Sequence, residues 1–459
     1  MMGTGQSQRR DSIKSAELPP GPRYPKAIQG MGFWTRPLAY LEQCRARYGK
    51  RFTLRIPMAP PFVMVSDPAE VKQVFTAPAE VLHPGEGAKV LEPIVGSNSV
   101  LLLDGSAHME QRKLMLPAFH GESMGRLSGV MAEVTEREVA SWPRDTPIEL
   151  HARMQRLTLE IILRAVFGLD SGPRLDALRE RLAAMLAFGD RAISLMPPPP
   201  GSLAQRILER VGPFAGFVRL RASIDEMLFE LIDERRREMR ESDDILAMLL
   251  AARHEDGSPM SREEIRDELL TLLVAGHETT ASSLAWLCDA LPHHPEVLQQ
   301  LNDEIASGEG DDYLTATIQE SMRRRPVLPN SGPRLVMQPV DVGGWSYPAG
   351  VCLVPNAYLI HHDPDIYPDP YAFRPERFLD EPPGTYTWIP FGGGRRRCLG
   401  ATFAMLETKL VVRTLLAACE LRAAKAGTEV ASRRNITVTP SGGALTVLTQ
   451  RQPAAVAVA

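Results

Sequence analysis

The chain has 459 residues, of which 44% are hydrophobic and 24% are charged, and its formal net charge is −4. This length and balance are typical of a globular protein with a large core, and the negative charge argues against a general nucleic-acid binder. The five cysteines are scattered, odd in number and never spaced as C-x-x-C. That pattern argues against a disulfide framework and a zinc site, and we expect a reducing compartment.

The two ends of the chain are predicted to be tails. Residues 1–18 are polar, and we predict that they are mobile. They contain no apolar core of a secretory signal, and nowhere in the chain do about 18 apolar residues follow one another without a charge. We therefore expect a cytoplasmic protein without a membrane anchor. A second, C-terminal tail is predicted at residues 452–459.

The first half of the folded chain is predicted to be mostly helical after a short β-hairpin. Residues 34–48 have helical spacing, and residues 51–66 are predicted as two strands joined by a turn. Asp67 is expected to cap the next helix. Helical patterns then dominate residues 105–240, and the proline run at 197–200 predicts a loop between two of these helices.

A long apolar helix dominates the second half. Ser261-Arg262-Glu263-Glu264 fits a capping box and opens an apolar segment that runs to residue 291. A helix of roughly 30 residues spans about 45 Å, enough to cross the whole molecule. Residues 332–353 and 430–450 predict short strands. We therefore predict one mainly helical domain with a small β part, over residues 19–451.

Residues 390–400 have the most unusual sequence, PFGGGRRRCLG, in which three glycines and three arginines precede Cys398. A helical pattern follows, so Cys398 is expected at or just before a helix N-terminus. There the helix dipole, the free amide groups and the arginines stabilise a thiolate, which is either a nucleophile or a metal ligand. A lone cysteine is more often a buried small side chain, but such a residue does not require this approach. No histidine partner for a nucleophile lies nearby in the sequence.

The long helix carries a second motif, Ala275-Gly276-His277-Glu278-Thr279-Thr280. Glycine inside a helix costs about 1 kcal/mol relative to alanine, and Glu278 and Thr279 are polar in an apolar stretch. One interpretation is a close helix crossing at Gly276 with a hydrogen-bonded threonine. The other is a helix opened at Gly276, so that Glu278 and Thr279 face a cavity and hand protons to a bound ligand.

Three further charged motifs are weak when taken singly. Glu320 and Arg323 have the i,i+3 spacing of an ordinary surface ion pair, and residues 373–378, FRPERF, suit a charged loop. His108 and Arg112 share one helix face, where two donors suit an anion, although a solvated face is the commoner case.

In combination and in this order, the five motifs resemble those of the cytochrome P-450 superfamily, the haem-thiolate monooxygenases, over residues 18–448. The cysteine loop is the most specific part, because it matches the family's iron-ligand loop at each fixed position: Phe391, Gly394, Arg396, Cys398 and Gly400. The motif on the long helix is similar to the family's oxygen-activating helix. Glu320 and Arg323, with Arg377, are similar to its buried Glu-Arg-Arg triad.

The resemblance implies a fold in which a long central helix crosses a haem b, with β-sheets at the N-terminal and C-terminal ends. It implies Cys398 as the proximal iron ligand. The basic residues that it implies as partners of the haem propionates are His108, Arg112, Arg334 and Arg396. The other implied cofactor contacts are Ala275, Thr279, Phe391 and Gly400.

Thr279 and Glu278 are similar to the family's catalytic threonine and its proton-relaying acid. Glu320, Arg323 and Arg377 are implied to be structural and mutually paired. The histidine at position 108, together with the expected lack of an anchor, is typical of the soluble bacterial members.

The implied reaction inserts one atom of O2 into an apolar small molecule. The predicted pocket walls are rich in aliphatic side chains, which favours a fatty acid, a terpenoid or a steroid. They are residues 81–100, 187–217, 271–280, 327–329 and 436–438.

Arg395 and Arg397 are expected to point outward and to attract a separate acidic electron donor, a ferredoxin with its reductase. We expect a monomer that binds neither nucleic acid nor membrane. Two other functions remain open here. One is a haem-thiolate peroxygenase or isomerase, which requires no electron donor, and the other is a haem sensor or carrier without turnover. The presence of both Glu278 and Thr279 favours the monooxygenase.

Overall fold

The structure, a computed structural model, describes residues 17–119, 121–168, 172–189, 213–238 and 244–451. Residues 1–16 of the predicted N-terminal tail, the predicted C-terminal tail and the proline loop at 197–200 lie outside these ranges. So does most of the predicted pocket wall at 187–217.

Helices make up most of the described chain, as predicted. The α-helices are α1 (Lys26–Thr35), α2 (Pro37–Tyr48), α3 (Pro68–Thr76), α4 (Pro84–Gly87), α5 (Glu92–Val95), α6 (Gly105–Met115), α7 (Glu122–Ser141), α8 (Leu150–Phe167), α9 (Pro173–Gly189), α10 (Pro213–Glu238), α11 (Ile245–Ala251), α12 (Arg262–Ala290), α13 (Pro295–Ser307), α14 (Asp312–Arg324), α15 (Ala357–His361), α16 (Arg377–Asp380) and α17 (Ala401–Ala418). Short 3-10 turns occupy Lys89–Leu91, Leu116–Phe119, Leu291–His293 and Gly394–Arg396. None of the helices in the described ranges combines the length and the apolarity that a bilayer crossing requires.

The β part consists of small sheets. Its strands are β1 (Arg51–Leu54), β2 (Phe62–Val65), β3 (Leu82–His83), β4 (Pro147–Glu149), β5 (Arg334–Val336), β6 (Val340–Val342), β7 (Trp345–Tyr347), β8 (Cys352–Pro355), β9 (Cys419–Ala423), β10 (Ala431–Arg434), β11 (Thr437–Pro440) and β12 (Leu445–Gln450). One five-stranded sheet has the order β1-β2-β8-β5-β3, in which only β2 and β8 are parallel. A three-stranded sheet has the order β4-β12-β9, and β6-β7 and β10-β11 are antiparallel pairs.

The central helix α12 organises the core. It has 29 residues, close to the predicted length, and the capping box is present, because Ser261 Oγ accepts from the Glu264 amide and the Glu264 carboxylate accepts from the Ser261 amide. The helix is buried along most of its length, packs along α8, and also contacts α10, α14, α17 and β11. Trp286 Nε1 donates to the Val438 carbonyl at 2.9 Å and so joins α12 to β11. Apolar contacts on several sides explain why this helix is apolar all round.

The prediction of a single helix at residues 34–48 is wrong in one respect. The structure has two helices there, α1 and α2, separated at Arg36, whose backbone leaves the helical region (φ −137°, ψ 59°). The physical reason is Pro37, because a proline ring disfavours the helical conformation of the preceding residue and proline is favoured at the first position of a new helix.

The predicted Glu-Arg-Arg group is present. Glu320 and Arg323 on α14 are fully buried, and Arg323 Nε lies 2.7 Å from Glu320 Oε2 while its Nη2 lies 2.9 Å from Oε1. Arg377 Nε donates to Glu320 Oε1 at 3.2 Å. The remaining donors of Arg323 reach the backbone carbonyls of His361, Pro370 and Ala372. Glu320, Arg323 and Arg377, named here the Glu320 cluster, therefore tie α14 to the loop before α16.

Candidate active site

The cysteine loop is closed by backbone contacts. The Cys398 amide donates to the Phe391 carbonyl at 2.9 Å, and Gly394 adopts a left-handed conformation with φ 63°. A Cβ at position 394 would come 2.3 Å from the carbonyl oxygen of Phe75, so only glycine fits there. Helix α17 begins at Ala401 with Gly400 as its N-cap. Cys398 therefore lies just before a helix N-terminus, as predicted.

The thiol of Cys398 lines an internal space. The residue is exposed to a water-sized probe, yet burial raises the pKa of its thiol. A hydrogen bond to the Gly400 backbone and the charges of Arg112 and Arg397 lower the pKa, but the effect of burial is larger. The backbone at the helix end and the arginines therefore favour the thiolate, in the predicted direction, but desolvation outweighs them in this structure.

One face of α12 forms a second wall of this internal space. Ala275 is exposed although the helix around it is buried, and Leu272 and Thr279 are partly exposed. These residues have the i, i+3 and i+7 spacing of a single helix face. The side chain of Glu407 on α17 hydrogen-bonds Thr280, next to Thr279, so the helix that follows Cys398 is tied to this part of α12.

The predicted opening of the helix at Gly276 is not observed. Helix α12 is continuous from Arg262 to Ala290, and Thr279 Oγ1 donates to the Ala275 carbonyl at 2.7 Å within the same helix. A hydroxyl that bonds the carbonyl four residues earlier satisfies itself without breaking the helix. The hydroxyl still lies on the partly exposed face of α12.

Basic side chains from three separate segments converge close to Cys398. His108 and Arg112 come from α6, Arg334 begins β5, and Arg396 ends the 3-10 turn of the cysteine loop. These four residues are named here the cation cluster. Burial and the charges of Arg396 and Arg112 lower the pKa of His108 to about 3. Mutual effects of this kind require the groups to lie close together.

Only one carboxylate serves this cluster among the described residues. Asp104 Oδ1 lies 2.7 Å from Arg396 Nη2, and Asp104 Oδ2 also lies 3.5 Å from His83 Nδ1. Arg396 has two further acceptors, the carbonyls of Val100 and Leu103. Even so, burial and the charge of Arg112 lower the pKa of Arg396 to about 10, against the opposing effect of Asp104.

Within the described ranges, the side chains of the other two arginines of the cluster form no ion pair with a carboxylate. Arg334 is buried, donates to the carbonyls of Ser331 and Gly332 and lies over the Phe75 ring at 4.6 Å. Burial, followed by the charge of Arg396, lowers the pKa of Arg334 to about 10. Arg112 has no hydrogen bond or ion pair to any part of the chain that the structure describes, and burial lowers its pKa. Buried cations without counter-charges are expensive, so this geometry suits a ligand with two negative groups.

Glu278 takes part in a buried polar network rather than sharing the exposed face with Thr279. Its carboxylate accepts from Gln155 Nε2 at 2.7 Å and from Ser282 Oγ at 3.2 Å, and it lies 3.6 Å from His151 Nε2. Arg434 Nε lies 3.9 Å away. Burial raises the pKa of Glu278, but His151, Arg434 and His277 together hold it below the ordinary value.

Comparisons with known proteins show to which family the chain belongs. Residues 19–447 match the cytochrome P450 family. The chain belongs to that family. It is 39% identical to cytochrome P450 135B1 of Mycobacterium tuberculosis, over 94% of this chain and 91% of the relative, and 38% identical to cytochrome P450 138 of Mycobacterium bovis, over 95% and 97%. Members of the cytochrome P450 family are haem-thiolate monooxygenases that bind haem b.

Solved structures confirm the P450 fold. The chain superposes on the retinoic acid-bound cyanobacterial CYP120A1 with a TM-score of 0.81, at 23% identity, over 95% of this chain and all of that one. For the haem domain of cytochrome P450DA the TM-score is 0.80, at 23% identity, over 95% of this chain and 98% of that one.

The residues of this P450 fit a haem. A thiol in an internal space suits an iron ligand, and the cation cluster lacks the two carboxylates that haem propionates would bring. The structure brings Cys398, Arg112, His108 and Arg396 together as predicted, with Arg334 beside Arg396.

Sequence reasoning missed the partners of these residues: Asp104, His151, Gln155, Glu407 and Arg434. Their positions in the sequence are unremarkable, and a single polar residue in an apolar helix does not show which neighbouring element it faces. The i,i+4 spacing of His151 and Gln155 was the one available signal, since it places both on the same face of α8.

Proposed function

We propose that this P450 inserts one oxygen atom of O2 into an apolar small molecule, using electrons from a separate ferredoxin-type donor. The observation that carries the proposal is the thiol of Cys398, accessible inside the molecule and flanked by cations without enough counter-charge. Monooxygenase chemistry follows from the family. The substrate class, the donor and the roles of individual residues are our proposals.

Cys398 would hold the haem iron, and the cation cluster would hold the propionates. Metal coordination deprotonates a thiol outright, which overcomes the raised pKa of Cys398. Ala275 lies on the exposed face of α12, Phe391 closes the cysteine loop, and Gly400 bonds Cys398, so these three are proposed as further cofactor contacts. Once bound, a thiolate-ligated haem supplies the cleavage of the O–O bond.

Thr279 and Glu278 are proposed to deliver protons. Thr279 Oγ1 donates to the Ala275 carbonyl, so it can keep that bond while its oxygen accepts a hydrogen bond from water in the internal space. Glu278 is ionised at neutral pH, because its partners hold its pKa low. Its carboxylate can therefore accept a proton and pass it toward Thr279, one residue further along α12.

Aliphatic side chains in the predicted pocket walls support an apolar substrate. Leu272 and Val274 on α12 are partly exposed, as are Val327 and Leu328 before β5, while Ile436 at the β10–β11 turn is 45% exposed. Such a lining binds hydrocarbon and offers little to a charged ligand. We propose a fatty acid, a terpenoid or a steroid.

Two exposed arginines support the choice of donor. Arg395 and Arg397 flank the inward-facing Arg396 and are exposed. Because they lie within three residues of Cys398, an acidic protein that docks on them approaches the thiolate side of the haem. Complementary charge speeds and orients such an encounter.

Replacement of Cys398 tests the proposal. In wild-type protein we expect the red-shifted Soret band of a thiolate-ligated ferrous carbonyl adduct, and in Cys398→Ala we expect that band to be lost. Cys352→Ala, at a buried cysteine in β8, is the matched control and should retain it. An unchanged spectrum in Cys398→Ala would exclude Cys398 as the ligand. A screen of fatty acids, terpenoids and steroids for type I spectral shifts then identifies the substrate class.

A further inference from the structure

The carboxylate of Glu278 is joined to His151 by a short polar chain. Ser282 Oγ is 3.2 Å from His151 Nε2 and 3.2 Å from Glu278 Oε1, so it bridges the two side chains. His151 is the second residue of α8, and its amide donates to the Gly443 carbonyl at 2.9 Å. The ring is thereby fixed between α12 and the turn that precedes β12.

The His151 end of this chain lies beside a groove. The side chain of His151 is 8% exposed and that of Glu278 is 11% exposed. Its sequence neighbours on both sides, residues 147–149 and Ala152, line a groove of about 420 Å³ together with Arg153, Arg156 and Leu445. The groove therefore adjoins His151 through its sequence neighbours, and Ser282 connects His151 to Glu278.

We propose that His151 is a positioning residue that supplies protons to Glu278 through Ser282. This inference rests on the proposed proton-delivery role of Glu278. A protonated His151 donates from Nε2 to Ser282 Oγ, and Ser282 passes its own proton to Glu278 Oε1. The products are a neutral imidazole and a neutral carboxylic acid. Water then returns a proton to His151, so no oxidant or reductant is required.

The charged and titratable groups around Glu278 are consistent with this direction of transfer. His151 faces it from α8, Arg434 faces it from β10, and His277 precedes it on α12. His277 is buried, its Nδ1 has no hydrogen-bond partner among the described residues, and burial lowers its pKa to about 4. Arg434 keeps its proton, since a guanidinium does not titrate in the functional range. His151 is the histidine of this set whose ring nitrogen hydrogen-bonds Ser282 Oγ, the hydroxyl that donates to Glu278.

The test measures the protonation of Glu278 itself in the haem-loaded protein. Infrared spectra of 13C-glutamate-labelled protein report its carboxyl band, and Glu278→Gln identifies that band. In wild-type protein the carboxyl should protonate below the ordinary glutamate value. In His151→Leu the midpoint should rise by about one pH unit, because a favourable partner is lost. After a rapid pH drop, protonation of Glu278 should also be at least tenfold slower in His151→Leu.

Two further variants separate proton supply from packing. His151→Gln retains a donor for Ser282 but cannot carry a proton, so it should keep the midpoint near the wild-type value while protonation remains slow. Thr158→Val removes a buried hydroxyl from the same face of α8, one that bonds the His277 carbonyl rather than Glu278, and should behave as wild type. Equal protonation rates in wild type, His151→Leu and His151→Gln would overturn the proposal. This result is independent of the carbonyl spectrum of Cys398→Ala, so failure of the haem assignment is recognised separately.

Discussion

The Glu320 cluster and the cation cluster both contain arginine side chains, but they differ in how many of those arginines contact a carboxylate. In the Glu320 cluster both arginines contact one buried carboxylate, at 2.7 and 3.2 Å, and the spare donors reach carbonyls. In the cation cluster only Arg396 contacts a carboxylate within the described chain, and Arg112 has no bonded partner there. The first arrangement is satisfied by the protein alone. The second is completed by a dianionic ligand.

This difference separates structural charge from functional charge. A buried ion that is fully paired stabilises one packing arrangement, and removing one partner leaves the other stranded. A buried cation without a partner lowers the stability of the protein until a ligand arrives, and the binding of that ligand recovers the cost. Substitutions in the Glu320 cluster should therefore lower the stability of the protein, whereas substitutions in the cation cluster should weaken the binding of its ligand.

The largest effect is expected from breaking the Glu320 cluster. Arg323→Met leaves the buried Glu320 carboxylate with Arg377 at 3.2 Å and the Arg374 amide at 2.8 Å, and the free energy of unfolding should fall by about 3–5 kcal/mol. Arg324→Met, at the next position of α14, is the matched control, since the Arg324 guanidinium forms no ion pair with a carboxylate in the described part of the chain and contacts Tyr371 through its carbonyl and ring. Denaturant unfolding followed by tryptophan fluorescence measures both. Equal losses in the two variants would mean that the cluster has no special structural role.

A buried acid without a cation provides the converse case. Glu268 on α12 accepts from the Val100 amide at 2.7 Å and from Gln111 Nε2 at 3.1 Å, and burial raises its pKa to about 8. The folded protein binds this proton more tightly than the unfolded chain does. Its stabilising effect is complete below the ordinary glutamate pKa and is lost as the pH rises through about 8.

Glu268→Gln should therefore be more stable than wild type at pH 8.5 and not at pH 4.5. The gain in free energy of unfolding at the higher pH should be at least about 1 kcal/mol. Unfolding curves at a series of pH values measure it. A difference between the two proteins that does not change with pH would show that Glu268 does not titrate in this range.

The smallest effect is expected at the exposed arginines of the cysteine loop. Reversing Arg395 and Arg397 to glutamate should raise the KM for a ferredoxin-type donor a few-fold at low salt, since each exposed pair contributes about 0.2–1 kcal/mol. The rise should shrink at high salt, and haem retention should not change. Arg36→Glu, at an exposed position before α2, is the control. A KM that is unaffected at low salt would exclude this surface as the docking site.

Local patterns in the sequence predicted the helices and strands well where one interaction decides the structure. The capping box at Ser261 and Glu264 fixes the start of α12, and glycine at 394 is required by the close approach of Phe75. Helical spacing alone did not predict the break at Arg36, which results from the effect of Pro37 on the residue before it.

The sequence predicted which residues form the candidate site better than it predicted the pKa values of those residues. Family motifs identified Cys398 and the cation cluster by position. Burial, which raises the pKa of Cys398 and lowers that of His108, depends on the packing of distant segments and is not visible in a local motif. The surroundings of Glu278 were missed for the same reason, because Gln155 and Arg434 come from elements far away in the sequence.

The rate of haem release from Arg112→Met tests the central claim most directly. Methionine keeps much of the side-chain volume and removes the charge, and Arg377→Met is the matched change in the Glu320 cluster. Transfer of haem to an excess of apomyoglobin measures the rate. We predict that Arg112→Met releases haem at least about tenfold faster, the effect of losing one charge-assisted contact of about 1.4 kcal/mol, and that the unfolding midpoint of its haem-free form is not lowered. Arg377→Met should lower the midpoint and release haem at the wild-type rate. Wild-type haem release from Arg112→Met would contradict the account.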